Sequence, residues 1–211
     1  YQTAGFVTNS VVAGEFGFAQ GFATYEMLEE EPIPSELGAR PGDYTHQSAT
    51  ALGDAVVAWL DARGSARPPL LYVHASDPHN PYLPPSPFRE ALAADADPEF
   101  GLPAVIQDVV NGRRVVSEEG NREMQARYDG DVAAADAGFG RLIDDLRARG
   151  LYDRSLIIVV ADHGEGFGEH GLYEHVRSLY GELLHVPLLI KFPHQWRAGT
   201  VVATPAQQID I

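Results

Sequence analysis

The stretch that decides the fold is SLIIVVADHGE, residues 155–165. Its six consecutive apolar residues, rich in Ile and Val and without polar alternation, predict a strand buried on both faces, as in a parallel α/β sheet. In such sheets the ligand site lies beyond the carboxyl ends of the strands. Asp162 and His163 stand at that end, where a carboxylate oxygen and an imidazole nitrogen suit a divalent cation such as Mn, Mg, Ca or Zn.

Gly164 bears on whether both side chains can reach one ion. Neighbours on a regular strand point to opposite faces, so Asp162 and His163 can share an ion only if the strand stops there. Gly164 allows that break because glycine tolerates backbone angles that other residues avoid. The alternative is a strand that runs into an ordinary turn, with Asp162 capping the next element.

The composition excludes several classes of partner and site. The 211 residues carry 30 acidic and 15 basic side chains, and a formal net charge of −15 repels nucleic-acid backbones and anionic membranes. No apolar run approaches the ~20 residues of a membrane helix. The absence of cysteine excludes disulfides, thiolate metal sites and a cysteine nucleophile within this chain. The chain opens in what reads as the middle of a strand, so we expect both of its ends to be cuts.

The first part of the chain predicts a strand, a helix and a second strand. Residues 2–9 form the first strand, and residues 70–74 form the second, which we expect to be buried. Between them, a helix capped by Asp43 or Thr45 runs to about Arg63. Its apolar face comprises Leu52, Val56, Trp59 and Leu60.

ASDPHNPYLPP, residues 75–85, follows the second strand. Prolines at this density forbid a helix and fix an extended, stiff loop. A rigid loop at the carboxyl end of a strand is a good mount for a functional His79. A single histidine among prolines is more often a surface or packing residue, and both interpretations stay open at this point.

The second part of the chain begins with a long amphipathic helix over residues 117–149, which Gly150 ends. We expect its acidic residues Asp129, Asp131 and Asp136 to form the solvated face. The strand at 156–161 follows, then a loop whose potential ligands we expect to be mostly solvated: Glu165, Glu169, His170, Glu174 and His175.

A short helix over 178–184 and a strand over 187–192 complete the pattern. Alternating strands and helices predict an α/β fold, a three-layer α/β/α sandwich with a mostly parallel sheet. We expect residues 1–211 to be part of a single catalytic domain.

Five segments, in this order along the chain, resemble the sulfatases of the alkaline phosphatase superfamily. LLYVHASDPHNPYLPP (70–85) is similar to their DPHxPYxPP segment, and ADHGEGFGEHG (161–171) is similar to their SDHGExxGEHG segment. The other three are YDGDVAAAD with GRLI (128–136, 140–143), SLYGELLHVPLLI (178–190) and QIDI (208–211). The resemblance implies an alkaline phosphatase-like fold and the hydrolysis of a sulfate ester carried by a small molecule or a saccharide.

The resemblance also assigns roles to individual residues. It makes Asp162 and His163 ligands of a divalent cation, calcium in most of the family and manganese or magnesium in close relatives. It makes His79 a contact to the scissile ester that helps to protonate the leaving group. It places His175 where the family carries a Lys or His that binds a sulfate oxygen.

The chain also departs from the family pattern. Sulfatases use a formylglycine made from Cys or Ser in a [CS]-x-P-x-R motif, and no such motif occurs here. The family's upstream Asp pair and its Lys/His pair are missing as well. We therefore expect the central and C-terminal part of a sulfatase domain, inactive as an isolated chain; turnover of an aryl sulfate by the purified chain would refute this.

Two alternatives keep the fold and change the function. The first is a phosphonate monoester or phosphodiester hydrolase of the same superfamily, because relatives with a similar DHGE site perform that chemistry. The second is a non-catalytic binding module that has lost the nucleophile. An opening in mid-strand argues against the second, since a sheet cut there exposes an edge.

Overall fold

The computed structural model describes residues 1–29, 31–32, 44–45, 48–64, 66–175 and 177–211, with the backbone alone at 31–32, 44–45 and 48. The chain divides into two compact units, Tyr1–Leu142 and Ile143–Ile211. The first unit contains β1 (Gln2–Val7), β2 (Thr24–Met27), β3 (Glu31–Pro32), β4 (Tyr44–Thr45), α1 (Ser48–Ala62), β5 (Pro69–His74), α2 (Phe88–Leu92), α3 (Pro103–Val110) and most of α4 (Glu118–Ala148).

A parallel sheet in the order β2-β1-β5 organises the first unit. The central strand β1 supplies the core residues Ala4, Phe6 and Val7, each at most 1% exposed. Both predicted strands are confirmed, although β5 differs from the expectation of a buried strand. Its Leu70 and Tyr72 are partly exposed. Within the described residues β5 pairs only with β1, so it lies at the edge of this sheet.

Helix α1 packs through the face that the sequence predicts, with Leu52 and Val56 completely buried. The predicted cap at Thr45 is wrong, because Thr45 belongs to β4 and the helix begins at Ser48. The other predicted cap, Asp43, lies outside the described residues. The carboxylate of Asp77 instead accepts a hydrogen bond from the backbone N–H of Ala49 at 2.8 Å, which caps the first turn from a distant loop.

The long helix is confirmed as α4, with Glu118 and Glu119 in its first turn and Gly150 at a φ of 64° just after its end. The prediction of one solvated acidic face is wrong at Asp131, which is only 8% exposed, whereas Asp129 and Asp136 are exposed. The helix departs from a simple two-faced pattern there because residues 76–85 cover part of the face that carries Asp131.

The second unit contains β6 (Ile157–Val160), α5 (Gly181–Leu184) and β7 (Leu188–Lys191). Strand β6 pairs antiparallel with β7, and its side chains alternate between half-buried and exposed, with Ile158 38% and Val160 41% exposed. The expectation of burial on both faces is wrong here, because one face of this two-stranded sheet is left uncovered by the described residues. Of the helix predicted over 178–184, only the last four residues, Gly181–Leu184, are helical.

The predicted order of strand, helix, strand, helix, strand is present as β1, α1, β5, α4 and β6, and the α/β class with a parallel sheet is confirmed. Within the described parts of the chain, none of the helices combines the length and the apolarity that a membrane span requires. Both candidate loops follow the carboxyl ends of strands, residues 75–85 after β5 and residues 161–175 after β6.

Candidate active site

Asp162 and His163 follow β6 directly, as the sequence predicts. The Asp162 carboxylate accepts a hydrogen bond from the backbone N–H of His163 at 3.0 Å, and its side chain is 67% exposed. Its Oδ1 lies 3.8 Å from Nε2 of His163. The strand therefore stops at this point, and the two side chains turn to the same side instead of alternating.

A backbone carbonyl fixes which nitrogen of His163 can bind a ligand. Nδ1 lies 2.8 Å from the carbonyl oxygen of Gly164. Because a carbonyl can only accept a hydrogen bond, Nδ1 carries the proton, and in the neutral imidazole the lone pair lies on Nε2. That is the nitrogen that faces Asp162, and this second bond orients the ring as carbonyl partners do for metal-binding histidines.

Gly164 has a different role from the predicted one. Its φ lies outside the left-handed region, so backbone freedom does not explain the glycine. A Cβ at this position would collide with the carbonyl oxygen of Glu182, and the backbone N–H of Gly164 donates to the carbonyl of Leu183 at 2.9 Å. Glycine is required here because the start of the loop is pressed against α5.

His175 lies against His163, with the two rings stacked 3.9 Å apart at 22°. Its Nδ1 is 3.1 Å from Oε1 of Glu165. This hydrogen bond, opposed by desolvation and reinforced by the charges of Glu165, Glu174 and Asp162, raises the pKa of His175 and favours the imidazolium. The loop thus places a histidine that favours its protonated, positively charged form beside the predicted metal ligands.

Three contributors to this cluster were not predicted from the sequence. Glu174 is buried rather than solvated, and the side chain of Glu165 is only 5% exposed. Gln208 donates through Nε2 to the carbonyl oxygens of Ala161 and Asp162, at 2.7 and 2.8 Å. The alternation of Glu and His with Gly in residues 163–175 was the one available signal, because glycines let a short loop fold back on itself and bury its polar side chains.

His79 belongs to the first unit, on the loop after β5. Its backbone N–H donates to the carbonyl of Ser76 at 2.7 Å, and its Nδ1 lies 2.8 Å from the carbonyl oxygen of Asn80. By the argument used for His163, Nδ1 carries a proton in this hydrogen bond. The predicted absence of a helix from this loop is confirmed, and the loop is also partly buried, at Ser76, Pro81, Tyr82 and Pro84.

The donors at Asp162 and His163 fit a divalent cation in chemistry and in separation. Ligand bonds of about 2.0–2.6 Å allow a single ion to contact two atoms that are 3.8 Å apart. Across the ranges that the structure describes, no group of three or more His, Cys, Asp or Glu is placed to hold a metal. Asp162 and His163 are therefore, by themselves, an incomplete set of candidate ligands.

The sulfatase family model matches residues 1–211, so the chain belongs to the sulfatase family. It is 29% identical over 160 residues to a choline-sulfatase of Rhizobium meliloti, covering 70% of this chain and 30% of that protein. It is 30% identical over 101 residues to an N-acetylglucosamine-6-O-sulfatase of Bacteroides thetaiotaomicron, covering 48% and 18%.

Among solved structures, the phosphonate monoester hydrolase of Agrobacterium radiobacter is similar with a TM-score of 0.64 and 18% identity, over 92% of this chain and 50% of that one. This similarity confirms the alkaline phosphatase-like fold. The chain spans less than a third of the length of these two curated relatives and half of this solved structure.

Proposed function

We propose that this chain supplies part of the active site of a sulfuric ester hydrolase, and that both of its units belong to one catalytic domain. The observation that carries the proposal is the pair of donors after β6, Asp162 Oδ1 and His163 Nε2, 3.8 Å apart in a chain whose whole length matches the sulfatase model. The relatives support a sulfate ester, and the N-acetylglucosamine-6-O-sulfatase supports a sulfated saccharide as its carrier.

Asp162 and His163 would hold the divalent cation, with calcium as the first expectation and manganese or magnesium as alternatives. When bound, the ion would supply Lewis-acid polarisation of a sulfate oxygen. Two ligands hold a hard cation weakly, so further oxygen ligands must come from other residues of the domain. The carbonyl of Gly164 would keep His163 in the tautomer that binds through Nε2.

His175 would bind a sulfate oxygen, and Glu165 would orient it. The carboxylate holds Nδ1, so the remaining Nε2 is the nitrogen that donates to substrate. Stacking on His163 fixes the plane of the ring next to the proposed metal ligands. Glu165, whose side chain is only 5% exposed, would thus position His175, a role that the sequence alone does not indicate.

His79 would act at the leaving group. The carbonyl of Asn80 occupies Nδ1–H, so the proton that would move is the one that Nε2 carries in the imidazolium, and Nε2 would donate it to the ester oxygen as the bond to sulfur breaks. The loop that carries His79 is held by backbone contacts, which limits the freedom that the histidine must lose before it reacts.

The nucleophile would come from outside these 211 residues, because they contain no [CS]-x-P-x-R motif. A formylglycine, where present, supplies an oxygen nucleophile for displacement at sulfur. The present residues would bind the sulfate group, orient it and deliver the leaving-group proton. The isolated chain is accordingly expected to be inactive.

The experiment that tests this proposal compares esters on the full-length protein. We expect 4-nitrophenyl sulfate and N-acetylglucosamine 6-sulfate to be hydrolysed with a higher kcat/KM than 4-nitrophenyl phenylphosphonate or bis(4-nitrophenyl) phosphate. A preference for the phosphonate or the diester would instead establish the phosphonate or phosphodiester alternative. No turnover of any of the four, by protein whose upstream nucleophile has been verified, would support the non-catalytic module.

A further inference from the structure

One face of α4 packs closely on the loop that carries His79. Tyr128 meets Tyr82 edge to face, with ring centroids 5.7 Å apart. A Cβ on Gly130 would lie 2.7 Å from two carbon atoms of Pro84, so the helix approaches the loop more closely than any side chain allows. This tight contact makes residues around 130 of α4 the support on which residues 82–84 rest.

Asp131 lies inside that contact and is only 8% exposed. The backbone N–H of Leu83 interacts with its carboxyl group and also donates to the carbonyl of Pro81 at 3.1 Å. Its other oxygen, Oδ2, is buried and has no hydrogen-bond partner among the described residues. A buried carboxylate with an unsatisfied oxygen is costly, whereas a protonated carboxyl group carries no charge to desolvate.

The charged groups around Asp131 offset a negative charge there only in part. Asp77, at the start of the same loop, adds repulsion while its own carboxylate caps α1. Among the described residues, the cation that acts on Asp131 is Arg127, whose guanidinium is directed to the backbone carbonyls of Ala96 and Asp97, at 2.7 and 2.9 Å. Burial first, and then Asp77, raise the pKa of Asp131 to about 9.

We propose that Asp131 is a positioning residue whose buried carboxyl group works as a neutral acid and fixes the loop that carries His79. The carboxyl group of Asp131 links α4 to Leu83, which lies four residues after His79. An ionised Asp131 would repel Asp77 in the same loop. The link to catalysis rests on the proposed function, whereas the neutral state of Asp131 does not.

The neutral state is tested with Asp131→Asn, which preserves shape and removes the titration. In the infrared difference spectrum of full-length wild type minus Asp131→Asn at pH 7, we expect the C=O stretch of a protonated carboxylic acid. Asp129→Asn, an exposed position on the same helix, is the matched control and should give only a carboxylate signal. A carboxylate signal from Asp131 as well would overturn the neutral state.

Stability provides a second readout of the same state. Because the pKa of Asp131 is raised in the folded protein from 3.8 to about 9, the folded state binds the proton more tightly than the unfolded state. Its stabilisation is complete below about pH 4 and falls as the pH rises toward 9. Relative to Asp131→Asn, the unfolding constant of the wild type should therefore increase by up to about tenfold per pH unit between pH 5 and 8. A ratio that is constant with pH would contradict the proposal.

The positioning role is tested by a kcat and KM comparison on an alkyl sulfate. Asp131→Ala removes the carboxyl group from the N–H of Leu83, which then keeps only the carbonyl of Pro81, and should lower kcat by about 10–100-fold with little change in KM. Asp131→Asn should keep kcat within about threefold of wild type. Unchanged kcat in folded Asp131→Ala would overturn the positioning role. If the wild type hydrolyses no sulfate ester, the proposed function fails, but the infrared and stability measurements still decide the state of Asp131.

Discussion

The two loops that follow strands β5 and β6 hold their candidate site residues by different means, the first by close packing and the second by a few specific contacts. The loop after β5 is partly buried and closely packed: Tyr82 is 1% exposed, its N–H donates to the carbonyl of Gly101 at 2.9 Å, and α4 packs on Pro84. The loop after β6 leaves Asp162 two-thirds exposed. It holds its shape through a few specific contacts, chiefly those of Gly164, Glu165 and Gln208.

The difference follows from what each loop would have to do. A histidine that delivers a proton needs a fixed direction, and packing provides it. A residue that binds a cation must present its oxygen atoms to an ion, so its carboxylate cannot be buried in an apolar core. The comparison suggests that burial positions His79, whereas polar contacts position Asp162 and His163.

The largest effect is expected from removing the proton donor. His79→Gln in the full-length protein should reduce kcat for an alkyl sulfate by about 10²–10⁴-fold. The reduction should be much smaller for 4-nitrophenyl sulfate, because 4-nitrophenolate leaves without protonation. His185→Gln, at an exposed histidine, is the control and should leave both rates unchanged. Equal losses on the two esters would show that His79 does not act at the leaving group.

The loop after β6 can be broken at its closest backbone contact. Gly164→Ala places a methyl group against the carbonyl of Glu182 and should lower the free energy of unfolding of this region by about 3 kcal/mol. Gly181→Ala, where a Cβ meets nothing within 4 Å, should cost less than about 1 kcal/mol or stabilise α5. Chemical denaturation of both variants measures the difference; equal effects would mean that the close approach at Gly164 is unimportant.

A smaller effect is expected where α4 supports the loop after β5. Gly130→Ala gains helix propensity but drives a methyl group into Pro84, for a net loss of about 1–2 kcal/mol. Gly140→Ala, on the same helix with open space at its Cβ, should instead stabilise by up to about 1 kcal/mol. Thermal unfolding of the two variants compares them directly, and the same sign for both would contradict the packing argument.

The sequence predicted the features that depend on local pattern. Apolar periodicity placed α4 to within a residue at each end, and the strand ends led to Asp162 and His163 as neighbouring donors. Dense prolines predicted the stiff loop around His79 without any knowledge of its packing.

The features that depend on distant parts of the chain were missed. Asp131 is one residue of a helix that has a solvated face elsewhere, and its burial is decided by a proline-rich loop about 50 residues earlier. The sequence alone indicates a need for backbone freedom at Gly164, whereas the close approach of the Glu182 carbonyl is what requires a glycine there. The sequence pattern predicts a solvated Glu165, because it does not encode the turn that brings Glu165 within hydrogen-bonding distance of His175.

The measurement that tests the central claim most directly is the metal content of the full-length protein. After equilibration with calcium, manganese or magnesium and removal of excess ion, the wild type should retain one ion per chain. Asp162→Asn and His163→Gln should each weaken its binding by at least about 100-fold, and Asp153→Asn, exposed in the same unit, should have no effect. Undiminished metal binding by both site variants would contradict the assignment of Asp162 and His163 as ligands.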